Sequence, residues 1–120
     1  MNLQEHSYAA RIRWTGNLGT GTAGYRAYSR DHEVDVEGPG RLLGTADPTF
    51  HGSKDRWNPE QLLLTAVAQC HMLSYLHVAV RAGVVVTIGT ATVSVVLRKW
   101  RRDRVISTDR LRPTSALRTV

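Results

Sequence analysis

Hydrophobic and polar positions along the chain change period several times, and each change predicts an element. Residues 7–16, SYAARIRWTG, alternate and are rich in β-formers, which predicts a strand of about six to eight residues. NLGTGTAG at 17–24 is a glycine-rich connection that reads as a hairpin loop. YRAYSRDHEVDVEG at 25–38 predicts a second strand, a charged turn and a short third strand at His32–Val36. Residues 39–56 are rich in Gly, Pro and Asp and read as a long surface loop, a length that tends to carry function.

The period then becomes helical. Asn58 suits an N-cap, Pro59 the first helical position, and Gln61 stands three after the cap, as in a capping box. Trp57 and Leu62 have the spacing of a hydrophobic staple. Apolar residues continue to Ala82, and Gly83 is a natural stop. The expected helix, 59–82, is roughly 36 Å long and apolar nearly all round, so burial on most sides is expected. A chain of 120 residues has little material to cover such a helix, which points to a partner subunit. VVVTIGTATVSVVLRKW at 84–100 is rich in β-branched residues and predicts one or two strands. The tail beyond has no clear period, and no internal repeat is visible.

Composition fits a single domain with a real core. One cysteine excludes an internal disulfide and fits a reducing compartment, with the cytoplasm as the expected location. The N-terminus shows no signal-peptide pattern. Gln69, His71, Ser74 and His77 interrupt the best apolar run, so no membrane span is expected. The net charge of +6 is uneven: residues 1–86 hold eight Lys/Arg and eight Asp/Glu, and residues 87–120 hold eight and two. The excess belongs to the tail and argues little for nucleic-acid binding by the body. The cluster RKWRRDR at 98–104 leaves open a basic interaction module. His51, His71 and His77 lack the spacing of a known metal motif, so neither metal nor cofactor is expected. The G-x-G of the first loop lacks the context of a phosphate-binding loop.

Candidate chemistry centres on Cys70. It lies too far into the helix for the macrodipole to activate it, so activation needs a cation from another segment. Glu60, Leu63, Val67, Cys70, Ser74, His77 and Arg81 form one stripe with steps of three or four. Glu60 stands about 15 Å from Cys70 along a straight helix, so an arginine held by Glu60 is the natural go-between. On spacing alone, Cys70 is either a small buried hydrophobe or such a reactive thiol.

WNPEQLLLTAVAQCHM resembles the OsmC/Ohr family of thiol-dependent hydroperoxide reductases, and WTGNLGTGTAGYRAYSRDHEV looks like its N-terminal hairpin. The resemblance covers residues 7 to about 87. It implies an α+β fold, with an antiparallel β-hairpin or sheet packed with a long central helix and further strands after it. It implies a peroxidatic Cys70, a Glu60 that holds an arginine, and a thiolate that attacks organic hydroperoxides in oxidative stress defence. A thiol reductant and an intertwined homodimer are the implied partners. The family arginine usually sits in the first hairpin loop, which has none here; Arg26 takes its place, with Arg30 and Arg56 as rivals. The family's second cysteine, roughly sixty residues further on, has no counterpart before Val120. The expected organisation is therefore an OsmC-like N-terminal half, 1–87, and a basic segment, 88–120, of different origin, as a frameshift would produce. A non-catalytic OsmC-like remnant is the alternative.

Overall fold

The computed structural model describes residues 5–94 and 112–114. The chain divides into two units, Met1–Gln61 and Leu62–Val120. The first unit is an antiparallel sheet in the order β1-β2-β3, formed by Ala10–Trp14, His32–Val36 and Gly40–Gly44. Its register pairs Ile12 with Val34 and Val34 with Leu42. Alternation therefore puts Ala10, Ile12, Val34, Val36 and Leu42 on one face. Arg11, Arg13, Glu33, Asp35 and Arg41 take the other face, where Glu33 pairs with Arg13 at 2.5 Å and with Arg41 at 3.6 Å.

Two sequence expectations change in this unit. β1 is shorter than the predicted strand, and no strand forms at 25–31. Residues 15–31 instead make one ordered loop, closed by Thr15 N–H to Asp31 O (2.9 Å) and Ser29 N–H to Gly16 O (2.9 Å). The physical reason is Arg30. Its guanidinium donates to the carbonyls of Tyr28 (2.7 Å) and Tyr25 (2.6 Å) and stacks on both tyrosine rings. These contacts bend the segment back on itself and leave its backbone unavailable to a ladder. In the other direction, β3 forms inside the stretch read as loop. Gly38 and Gly40 adopt φ of 97° and 87°, values open to glycine, and turn the chain back along β2.

Residues 45–57 form the loop that leads into the helix. Thr45 is fully buried; its N–H donates to Trp57 O (2.9 Å) and its Oγ1 accepts from Ser53 N–H (3.1 Å). Asp47 caps a 3-10 turn at Pro48–Phe50. Trp57 forms a parallel bridge to Gly44, which ties the end of this loop to β3.

The helix, α1, runs Pro59–Arg81, within one residue of the sequence expectation. Both halves of the capping box are made: Gln61 N–H donates to Asn58 Oδ1 (2.8 Å) and Asn58 N–H to Gln61 Oε1 (3.0 Å). At the other end Gly83, at φ 70°, closes a Schellman motif, with Gly83 N–H to Val80 O (3.1 Å) and Val84 N–H to Ala79 O (2.9 Å).

The expectation of a helix buried on most sides fails for the single chain: Ala79 is its one buried residue. The physical reason is that the described residues of the second unit offer few groups to cover it. Among the described residues that unit adds to the helix only a connection and the strand pair β4, Thr92–Ser94, with β5, Arg112–Thr114. Residues 84–91, expected to begin a strand, are irregular backbone with one bend at residue 87. Positions 95–100 of that expected strand, and most of the basic tail, lie outside the described residues. By length and composition alone α1 is apolar enough to cross a bilayer, despite its polar interruptions.

Candidate functional site

The capping box fixes which residues share a face of α1. At about 100° per residue, Glu60, Leu63, Val67, Cys70 and Ser74 fall within an arc of about 80°. Leu63 is 70 % exposed and Val67 51 % exposed, and Glu60, Cys70 and Ser74 are also exposed. Cys70 is therefore not the small buried hydrophobe that one reading of its spacing suggested. It is an exposed thiol on a strip whose Leu63 and Val67 are also exposed.

The sequence also expected an arginine paired with Glu60. Glu60 lies in the first turn of α1, and its carboxylate makes no ion pair or hydrogen bond among the described residues. The three candidate arginines stand in different states. Arg26 is exposed in the 15–31 loop, with no ion pair among the described residues. Arg30 is committed to two carbonyls and two tyrosine rings. Arg56 has its side chain 25 % exposed, with Nε 3.6 Å from Asp31 Oδ2. Its Nη1 is buried without a hydrogen-bond partner.

No family model matches the chain, and no curated protein matches it. Among solved structures it is similar to an OsmC-like protein of unknown function from Vibrio cholerae. The TM-score is 0.71 at 20 % identity, over 94 % of this chain and 69 % of that one. The chain has an OsmC-like fold. The sequence resemblance and the backbone thus agree on the architecture, an antiparallel sheet followed by a long central helix and a further strand.

Within this OsmC-like fold the position of the thiol limits its chemistry. Glu60 and Cys70 are about 15 Å apart along one straight helix, beyond the reach of either side chain. They cannot meet within one copy of α1. A groove of about 350 Å³ lies between α1 and β4, lined by Leu64, Ala68, Met72 and Val93 among others. Its helical lining centres about 170° around α1 from Cys70, so it does not serve the thiol. His71 and His77 are exposed on α1. Among the described residues, no three His, Cys, Asp or Glu side chains come together to hold a metal.

Sequence reasoning missed Asp31 as the ion-pair partner of Arg56. A carboxylate just before β2 gives no signal in sequence that it will face Arg56, twenty-five residues on.

Proposed function

We propose that this OsmC-like chain is a thiol-dependent peroxidase that reduces organic hydroperoxides through Cys70. The observation that carries the reading is the exposed Cys70, the chain's one thiol, on an apolar strip that also holds Glu60. In the first step the Cys70 thiolate attacks the distal oxygen of the hydroperoxide ROOH. An S–O bond forms, the O–O bond breaks, and RO⁻ leaves and takes a proton to become the alcohol. Cys70 is oxidised to sulfenic acid. An external thiol then condenses with the sulfenic acid, releasing water and giving a mixed disulfide. A second thiol, or the other arm of a dithiol, releases Cys70 as thiolate and leaves with the oxidised disulfide. A reducing compartment such as the cytoplasm supplies those thiols. The apolar residues beside Cys70 favour an alkyl hydroperoxide over hydrogen peroxide.

The working form is a homodimer. Two α1 helices packed antiparallel about a twofold axis at position 65 bring Leu63 of one protomer against Val67 of the other. The same pairing brings Glu60 against the partner's Cys70, because each pair of residue numbers sums to 130. This covers the exposed strip and unites the two groups that one helix keeps about 15 Å apart. A guanidinium from Arg26, Arg30 or Arg56 completes the site by stabilising the thiolate. The test is consumption of an organic hydroperoxide with a dithiol reductant by wild type and Cys70→Ser. Turnover that vanishes in the variant supports the reading. Equal rates favour a non-catalytic OsmC-like protein.

A further inference from the structure

We propose that the cavity lined by Lys54, Asp55, Arg56, Trp57 and Gln61 binds a small oxyanion, the carboxylate or phosphate group of a small molecule, on the Arg56 guanidinium. The cavity lies wholly within the first unit, Met1–Gln61. It involves neither the thiol nor a second copy of the chain, so it does not rest on the peroxidase reading.

Arg56 carries a charge that its own chain compensates only in part. Its side chain is 25 % exposed. Its acidic neighbour, Asp31, stands 3.6 Å from Nε, longer than an N–H···O hydrogen bond. Nη1 is buried and has no hydrogen-bond partner. A guanidinium withdrawn from water needs acceptors for its N–H groups, and one left short of them calls for a bound water or ion. A cavity of about 210 Å³ lies against it.

The rest of the lining suits an anion. Lys54 is exposed and makes no ion pair among the described residues. Gln61 gives its Oε1 to Asn58 N–H, which leaves its amide N–H groups as donors. Asp55 is the one acid of the lining, and its carboxylate accepts the Ser53 hydroxyl. Two cations against one carboxylate leave the lining net positive. Trp57, 45 % exposed, adds an aromatic wall. Backbone bonds hold these parts in place: Trp57 N–H donates to Leu43 O (3.2 Å), Thr45 N–H donates to Trp57 O (2.9 Å), and the capping box fixes Gln61. Carboxylate and phosphate are the groups that a guanidinium fork recognises best. Sites for drug-sized ligands run to about 300–1,000 Å³, so this smaller cavity takes a phosphate or a small carboxylate and not a nucleotide.

The test titrates inorganic phosphate and benzoate into the full chain at constant ionic strength, with chloride as the balancing anion. Nitrogen-15 NMR follows the Arg56 Nε–H and the Trp57 indole N–H. The expected result is a saturable shift at both groups. Arg56→Gln should weaken binding by about tenfold or more, Lys54→Gln by a smaller factor, and Arg11→Gln, in the exposed strand β1, should leave it unchanged. Tighter binding of benzoate than of phosphate assigns the site to carboxylates; the reverse order assigns it to phosphates. The amide dispersion of each variant shows whether it folds. Arg56→Lys keeps the charge but not the fork, and its weaker binding makes the same point should Arg56→Gln fail to fold. Shifts that do not saturate, shifts shared equally by Arg11, or an affinity unchanged in the Arg56 variants overturn the proposal.

Discussion

Replacing Asn58 by alanine removes the acceptor at the start of α1, and its cost can be worked from the cap geometry. Asn58 is 7 % exposed, and its Oδ1 accepts from Gln61 N–H at 2.8 Å. Loss of an N-cap side chain costs about 0.5–2 kcal/mol, with exposed peptide helices at the low end. Here the cap is buried, so water replaces the lost acceptor poorly and the upper end applies, about 2 kcal/mol. The return bond from Asn58 N–H to Gln61 Oε1 weakens as well, because the box holds both partners in place. For a chain of this length, about 4 °C of melting temperature follows each kcal/mol, so Asn58→Ala should melt about 8 °C below wild type. Asn58→Asp keeps the acceptor and puts a negative charge at the helix N-terminus, so it should stay within about 0.5 kcal/mol of wild type. The assay is thermal unfolding followed by circular dichroism at 222 nm. Protein concentration is held fixed, because in the proposed dimer the melting temperature depends on it. Equal melting temperatures for Asn58→Ala and wild type would refute the capping argument. Equal losses in the alanine and aspartate variants would show that burial, not the acceptor, controls the site.

Other consequences are as direct. Gly16 is buried, and a Cβ there would collide with the Ser29 carbonyl and the Trp14 indole, so Gly16→Ala should cost about 2 kcal/mol in chemical denaturation. The Asp47 carboxyl is held below its usual pKa by the Thr49 hydroxyl and backbone N–H. That stabilisation is present above the ordinary carboxylate pKa and is lost as pH falls through the lowered folded value. The Thr49 amide resonance should therefore titrate below the usual carboxylate midpoint, and Asp47→Asn should abolish the transition. In the proposed homodimer Leu63→Glu puts a charge against the partner's Val67, so a dimeric wild type in sedimentation equilibrium should become monomeric in the variant while far-ultraviolet dichroism stays unchanged.

Local chemistry made the helix legible in sequence. Asn58, Pro59, Gln61 and Gly83 each have a conformational reason to stand where they do, and the structure uses them that way. β2 was legible for a similar reason, since His32–Val36 alternates. β3 was hidden because GRLLG has glycine at both ends and follows a proline, so its strand character comes from pairing with β2. The folded-back 25–31 segment was hidden by its composition: Tyr25 and Tyr28 look like strand residues until Arg30 is seen to use their rings and carbonyls. For the candidate site, spacing alone placed Glu60 and Cys70 on one face at a distance neither can bridge. Spacing could not rank the arginines, because burial and ion pairing depend on residues far apart in sequence. Asp31 meets Arg56 only once the sheet and the pre-helix loop are in place.

The central claim is that Cys70 is a working thiol, and steady-state turnover of cumene hydroperoxide with dihydrolipoamide tests it most directly. The account predicts alcohol formed in step with disulfide by the wild-type protein, no turnover by Cys70→Ser, and a sulfenic acid trapped on Cys70 by dimedone when reductant is withheld. Turnover that survives in Cys70→Ser, or a wild type that consumes no hydroperoxide, would contradict it.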